Sequence, residues 1–124
     1  MKIAIIIVRS LLGLLFLFAS VSYFLKLIPA PPITGPMKVF DDGLNASGYI
    51  MPVVKAIELI CGVLFLIGRF VPLATIVIFP IVVNIVLVHS FLAPEGLPVA
   101  VFVLLATLFL AYVHRTRYQP LFSK

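Results

Sequence analysis

Four apolar stretches, each long enough to cross a bilayer as a helix, occupy most of this 124-residue chain. A helix rises about 1.5 Å per residue, so roughly 20 apolar residues span a hydrocarbon core about 30 Å thick. The first stretch runs from Ile3 to about Ile28, the second from about Ile50 to Ile67, the third from about Val71 to Leu92 and the fourth from about Leu97 to Val113. Composition agrees: 64% of the residues are hydrophobic and 10% are charged. Water-soluble domains carry about 45–50% apolar and about 25% charged residues. The excess here needs a surface that faces lipid. The expected architecture is all-α, a single four-helix membrane domain over residues 1–124, with lipid as its first partner.

The connections set the order of packing. Gly68-Arg69 is a very short turn, so the second and third spans must lie antiparallel. Residues Ala93 to Gly96 form another turn. The first connection, Pro29 to Gly48, is longer and rich in proline and glycine. Within it, Thr34-Gly35-Pro36 marks a helix start, because proline is tolerated at the first helical position. Met37, Phe40 and Leu44 then share one face, with Lys38, Asp41 and Asp42 polar around it. That pattern predicts a short interfacial helix in the first outward loop. After the fourth span a short polar tail, His114 to Lys124, is expected. Pro80 is expected to kink the third span, since it removes a backbone donor.

The N-terminus also has some features of a signal peptide, with Met1-Lys2, an apolar run and small residues at Ala19-Ser20-Val21. Arg9 within that run, and its continuation past Ser20, favour an uncleaved first helix.

The formal net charge is +5. The basic residues flank the apolar runs, which points to membrane orientation and not to nucleic acid. One side of the membrane receives Lys2, Arg69, Arg115, Arg117 and Lys124, with Arg9 close by. The other receives Lys38 and Lys26, offset by Asp41, Asp42 and Glu95. By the positive-inside rule both termini are expected in the cytoplasm, in a multi-pass protein of the cell membrane.

Ionisable side chains inside spans are costly and tend to face the bundle or a functional path. Arg9, Lys55, Glu58 and His89 are such residues, with Asn84 as a neutral companion, and these five are the candidate binding residues. Arg9, Gly13, Phe16, Ser20 and Tyr23 form one stripe on the first helix, and Lys55, Glu58, Gly62, Phe65 and Arg69 form one on the second. The glycines would let the two backbones approach closely. Counting along the helices puts Glu58 about 16 Å from Arg69, Asn84 about 20 Å deep and Arg9 about 9 Å from its end of the bundle. Three readings stay open. Arg9 reaches Glu58 across the helices, Arg9 snorkels to the headgroups, or Lys55 and Glu58 neutralise one another as i, i+3 neighbours. A lone Cys61 excludes an intrachain disulfide. The sequence holds no phosphate loop, no metal-ligand cluster and no catalytic motif.

Arg9-x-x-x-Gly13-x-x-Phe16, followed by Glu58-x-x-x-Gly62 and by Gly68, resembles the DoxX family of small four-helix membrane proteins. The likeness extends over most of the chain. Ser20 stands where such proteins often have glycine, and Lys26 comes about a turn later than the family's lysine. The resemblance implies a membrane subunit tied to a quinone- or sulfur-linked redox system, because the family takes its name from a subunit of thiosulfate:quinone oxidoreductase. It makes quinone the possible cofactor and a redox protein the possible partner. The alternative is a small transporter or channel component acting as a homo-oligomer, with Glu58, Asn84 and Arg9 along a polar path.

Overall fold

The computed structural model describes residues 2–26, 34–92 and 94–122. Its helices are α1 (Lys2–Leu25), α2 (Gly35–Ala46), α3 (Ile50–Ile67), α4 (Val71–Phe91), α5 (Leu97–Val113) and α6 (Arg115–Tyr118), with single 3-10 turns at Pro94–Gly96 and Gln119–Phe122. No strand occurs among the described residues. Four of the helices, α1, α3, α4 and α5, are long and apolar enough to cross a membrane.

The spans close into a ring: α1 packs on α3, α3 on α4, α4 on α5, and α5 returns to α1. The α1–α3 contact is the tightest because both helices place a glycine at the crossing. A Cβ on Gly13 would come within 2.9 Å of the Gly62 carbonyl oxygen, and one on Gly62 within 3.0 Å of the Gly13 oxygen. Phe16 and Phe65 stack beside this crossing with ring centroids 6.4 Å apart. Leu12, Ile78, Val82 and Leu110 fill the centre. Ile60, Leu73, Leu105 and Phe18 face outward, as a lipid-embedded bundle requires.

Three hydroxyls inside the bundle bond to their own helix. Ser20, Thr75 and Thr107 each donate to the carbonyl four residues earlier at 2.7 Å. This satisfies a polar group where no water competes. Helix α4 runs unbroken through Pro80.

The turns follow local chemistry. Gly68 closes α3 at φ +75°, and the Gly68 and Arg69 amides both donate to the Leu64 carbonyl. This six-to-one bond is the glycine-based C-terminal cap. Phe70 is also left-handed, at φ 54°, which lets α4 start at once and run antiparallel to α3. Helix α2 begins as the sequence predicts, with Pro36 in its first turn. Met37, Phe40, Asp41 and Leu44 are half-buried, while most of the rest of α2 is exposed. Ser47 joins it to α3: its hydroxyl donates to the Leu44 carbonyl and accepts from the Ile50 amide.

One expectation needs correction. The segment after α5 is not simply a polar tail, since it folds into α6 and a 3-10 turn and returns to the bundle. The Tyr118 hydroxyl donates to the Pro72 carbonyl at 2.9 Å, across 46 positions of sequence. The first span ends as a helix at Leu25, with Lys26 turning left-handed at φ 53°. Its expected continuation through Leu27 and Ile28 lies outside the described residues.

Candidate functional site

Glu58 is the most deeply placed charge, with 3% of its surface exposed. It sits on the inner face of α3 because Glu58, Cys61, Gly62 and Phe65 share that face at helical spacing. Its carboxylate lies 3.0 Å from the Lys55 ammonium, one turn back along the same helix. The ammonium approaches Oε2 off the hydrogen-bond line, so the contact is a close charge pair more than a bond. One turn on, the Cys61 thiol reaches the Ala74 carbonyl of α4 at 3.7 Å. Of the three readings of the buried charges, the structure therefore contains the i, i+3 pair.

Arg9 is not part of that pair. Among the described residues the ion pairs are Lys55–Glu58 and the exposed Lys38–Asp42. Arg9 turns toward the α3–α4 turn, where its guanidinium lies over Gly68; a Cβ there would come within 2.5 Å of Nη1. Glu58 is ten positions deeper on α3, about 15 Å away along the axis. The long side chain takes the shorter route to the end of the bundle, the direction a snorkelling arginine takes.

The other two candidates stand apart. Asn84 is exposed on α4, so it matches Glu58 in depth but not in direction. His89 lies toward the opposite end from Arg9. Its Nδ1 is 2.7 Å from the Ile85 carbonyl, and its ring packs so closely on Gly96 that a Cβ there would clash. His89 thus clamps the α4–α5 turn. The structure brings Lys55 and Glu58 together, and leaves Arg9, Asn84 and His89 each in its own place.

The cavities lie elsewhere. A groove of about 570 Å³ runs along α4 and α5 beneath the returning tail, lined by Thr75, Ile76, Phe79, Pro80, Leu108, Ala111, Tyr118, Leu121 and Phe122. Its exposed lining is apolar, with Thr75 and Tyr118 in its wall turning their hydroxyls to backbone. Both hydroxyls donate to backbone carbonyls, those of Val71 and Pro72, and the buried Thr75 hydroxyl neighbours the Tyr118 phenol. A second cavity, of about 320 Å³, lies at the Gly68 end of the bundle with Arg9, His114 and Arg117 in its wall. A shallower one lies against Leu14, Leu17, Phe18 and Val21 on α1. Sequence reasoning missed Thr75, Tyr118 and Leu121 as groove residues, because only the return of the tail makes them neighbours.

A DoxX family model matches residues 4–90, which takes in α1 through nearly all of α4. The chain belongs to the DoxX family. The glycine stripes that carry the likeness form the α1–α3 crossing of this DoxX protein. Its last span and tail, which supply one wall of the groove and of the basic cavity, lie beyond the matched residues. Neither a curated protein nor a solved structure matches the chain.

Proposed function

We propose that this DoxX protein is the membrane subunit of a redox system and holds a quinone or quinol in the groove between α4, α5 and the returning tail. The observation that carries this reading is the groove itself, an apolar slot of about 570 Å³ with Tyr118 in its wall. Ligand sites of this kind combine an apolar wall with a few placed polar groups. Tyr118, with Thr75 behind it, would stand nearest the head group, and Phe79, Leu108 and Leu121 would contact the ring and the start of its tail. Such a group supplies two-electron, two-proton carrier chemistry; the chain's own residues bind and orient it. Photo-crosslinking with an azido-quinone in mild detergent tests this. Label should map to α4 and α6, fall in Phe79→Trp, and be competed by an unlabelled quinone. Labelling that ignores both the substitution and the competitor overturns it.

Asn84 favours a second reading, a small transporter or channel component acting as a homo-oligomer. An amide exposed in mid-span gains from a partner helix, and such groups hydrogen-bond between helices in membranes. Cross-linking in native membranes separates the two. A homo-oligomer that Asn84→Leu dissolves supports this reading, and co-purification with a redox protein supports the first.

A further inference from the structure

The basic cavity is not used by the quinone reading. Its wall contains Arg9 from α1, Gly68 and Phe70 from the turn, Pro72 from α4, and His114 and Arg117 from the α5–α6 corner. Among the described residues no carboxylate lines it. Arg9 is half-buried, and its Nε is fully buried with no hydrogen-bond partner among the described residues. The chain has four acidic residues, and none is available to it. Glu58 is held by Lys55, Asp41 and Asp42 lie on α2, and Glu95 lies in the turn after α4.

The corner is built to keep these side chains together. The Arg117 amide donates to the His114 carbonyl at 2.9 Å, and His114 Nδ1 is 2.9 Å from the Leu110 carbonyl. This fixes the ring and leaves Nε2 as its free nitrogen. Arg115, one residue on from His114, is occupied elsewhere: it bonds the Tyr112 carbonyl and lies 4.2 Å over the Tyr112 ring. Gly68 gives the Arg9 guanidinium the room that any side chain would take. Two guanidinium groups without counter-ions among the described residues, beside one cavity, are matched by an anion with several oxygens, which they can hold through paired N–H donors.

We propose that this cavity binds a phosphate-class oxyanion, with Arg9 and Arg117 as its principal ligands and His114 in support. The anion has two sources, the phosphate of an acidic lipid headgroup at this end of the bundle or free phosphate. Native mass spectrometry of the full-length protein in mild detergent, titrated with phosphatidylglycerol or with inorganic phosphate, tests the site. Saturable binding of one probe is expected. Arg9→Gln and Arg117→Gln should each weaken it roughly tenfold or more, the loss of a charge-assisted hydrogen bond. Arg115→Gln should leave it unchanged. Lipid binding that excess phosphate does not displace assigns the headgroup, and displacement by phosphate assigns the free anion. Arg117 lies outside the spans, so Arg117→Gln keeps the test valid if Arg9→Gln does not fold. No saturable binding of either probe, or equal loss in Arg115→Gln and Arg117→Gln, overturns the proposal.

Discussion

Lys55 holds Glu58 across one turn of α3, ammonium to carboxylate at 3.0 Å, and the two ends of this pair are unequal: 19% of the lysine side chain is exposed against 4% of the glutamate. Removing either partner of a buried pair costs about 3–5 kcal/mol when the survivor cannot escape. Here only one survivor can. Without Glu58, the lysine can swing its stem outward. Without Lys55, the carboxylate stays enclosed beside Cys61 and Gly62. Lys55→Leu should therefore destabilise more than Glu58→Leu, and the double variant should recover much of the Lys55→Leu loss. Thermal unfolding in detergent, arranged as a double-mutant cycle, reads this directly. Strictly additive losses would show that the two side chains are independent.

The α1–α3 crossing makes a second prediction, with its control inside the same protein. Gly13→Ala and Gly62→Ala each force a methyl against backbone on the facing helix. Overpacking of this kind costs about 1–3 kcal/mol. A methyl added at Gly43, within α2, would meet nothing within 4 Å. Gly43→Ala should be neutral or stabilise by up to about 1 kcal/mol, since alanine is the better helix former. Melting temperatures in one detergent compare all three. Equal effects at the three glycines would mean that the crossing is not close.

Much of the fold was legible because hydropathy is local. The bounds expected for the second and fourth spans agree with α3 and α5, and the third runs one residue short of its expected end. Pro36 and the Met37–Phe40–Leu44 face revealed α2 for the same reason. The site was harder. Spacing puts Arg9 and Glu58 on facing stripes, but a stripe does not say which way a long side chain bends, and Gly68 opens space toward the end of the bundle. Spacing likewise gave Asn84 a depth along α4 but not its direction, which is outward. The groove depends on one bond from Tyr118 to Pro72, which no local pattern announces.

Orientation is open to direct measurement. The basic residues cluster at the end that holds the Gly68 turn and the α5–α6 corner, so that end is expected in the cytoplasm. In a Cys61→Ser background, which removes one buried thiol, a cysteine at Lys38 should react with an impermeant maleimide in intact cells. A cysteine at Thr116 should react only after permeabilisation. The reverse pattern would invert the topology, and external labelling at both sites would deny an odd number of spans between them.

The last prediction concerns the tail and its pH dependence. Burial pushes the Tyr118 phenol above its ordinary value, and the neighbouring Thr75 hydroxyl opposes this less strongly. A raised phenol favours the neutral form in the docked state. Its contribution is whole below about pH 10, where docked and free tails are both neutral. As pH rises further the free tail ionises first, so docking weakens until the docked phenol ionises as well. A spin label at Thr116→Cys, in the Cys61→Ser background, should be restrained at neutral pH and loosen above about pH 10. Tyr118→Phe removes the bond to the Pro72 carbonyl, a loss of about 1 kcal/mol. Its label should be looser at neutral pH, and it should lack the alkaline step because no phenol remains to titrate. An alkaline step of equal size in both proteins would place the titration elsewhere and detach the tail's docking from Tyr118.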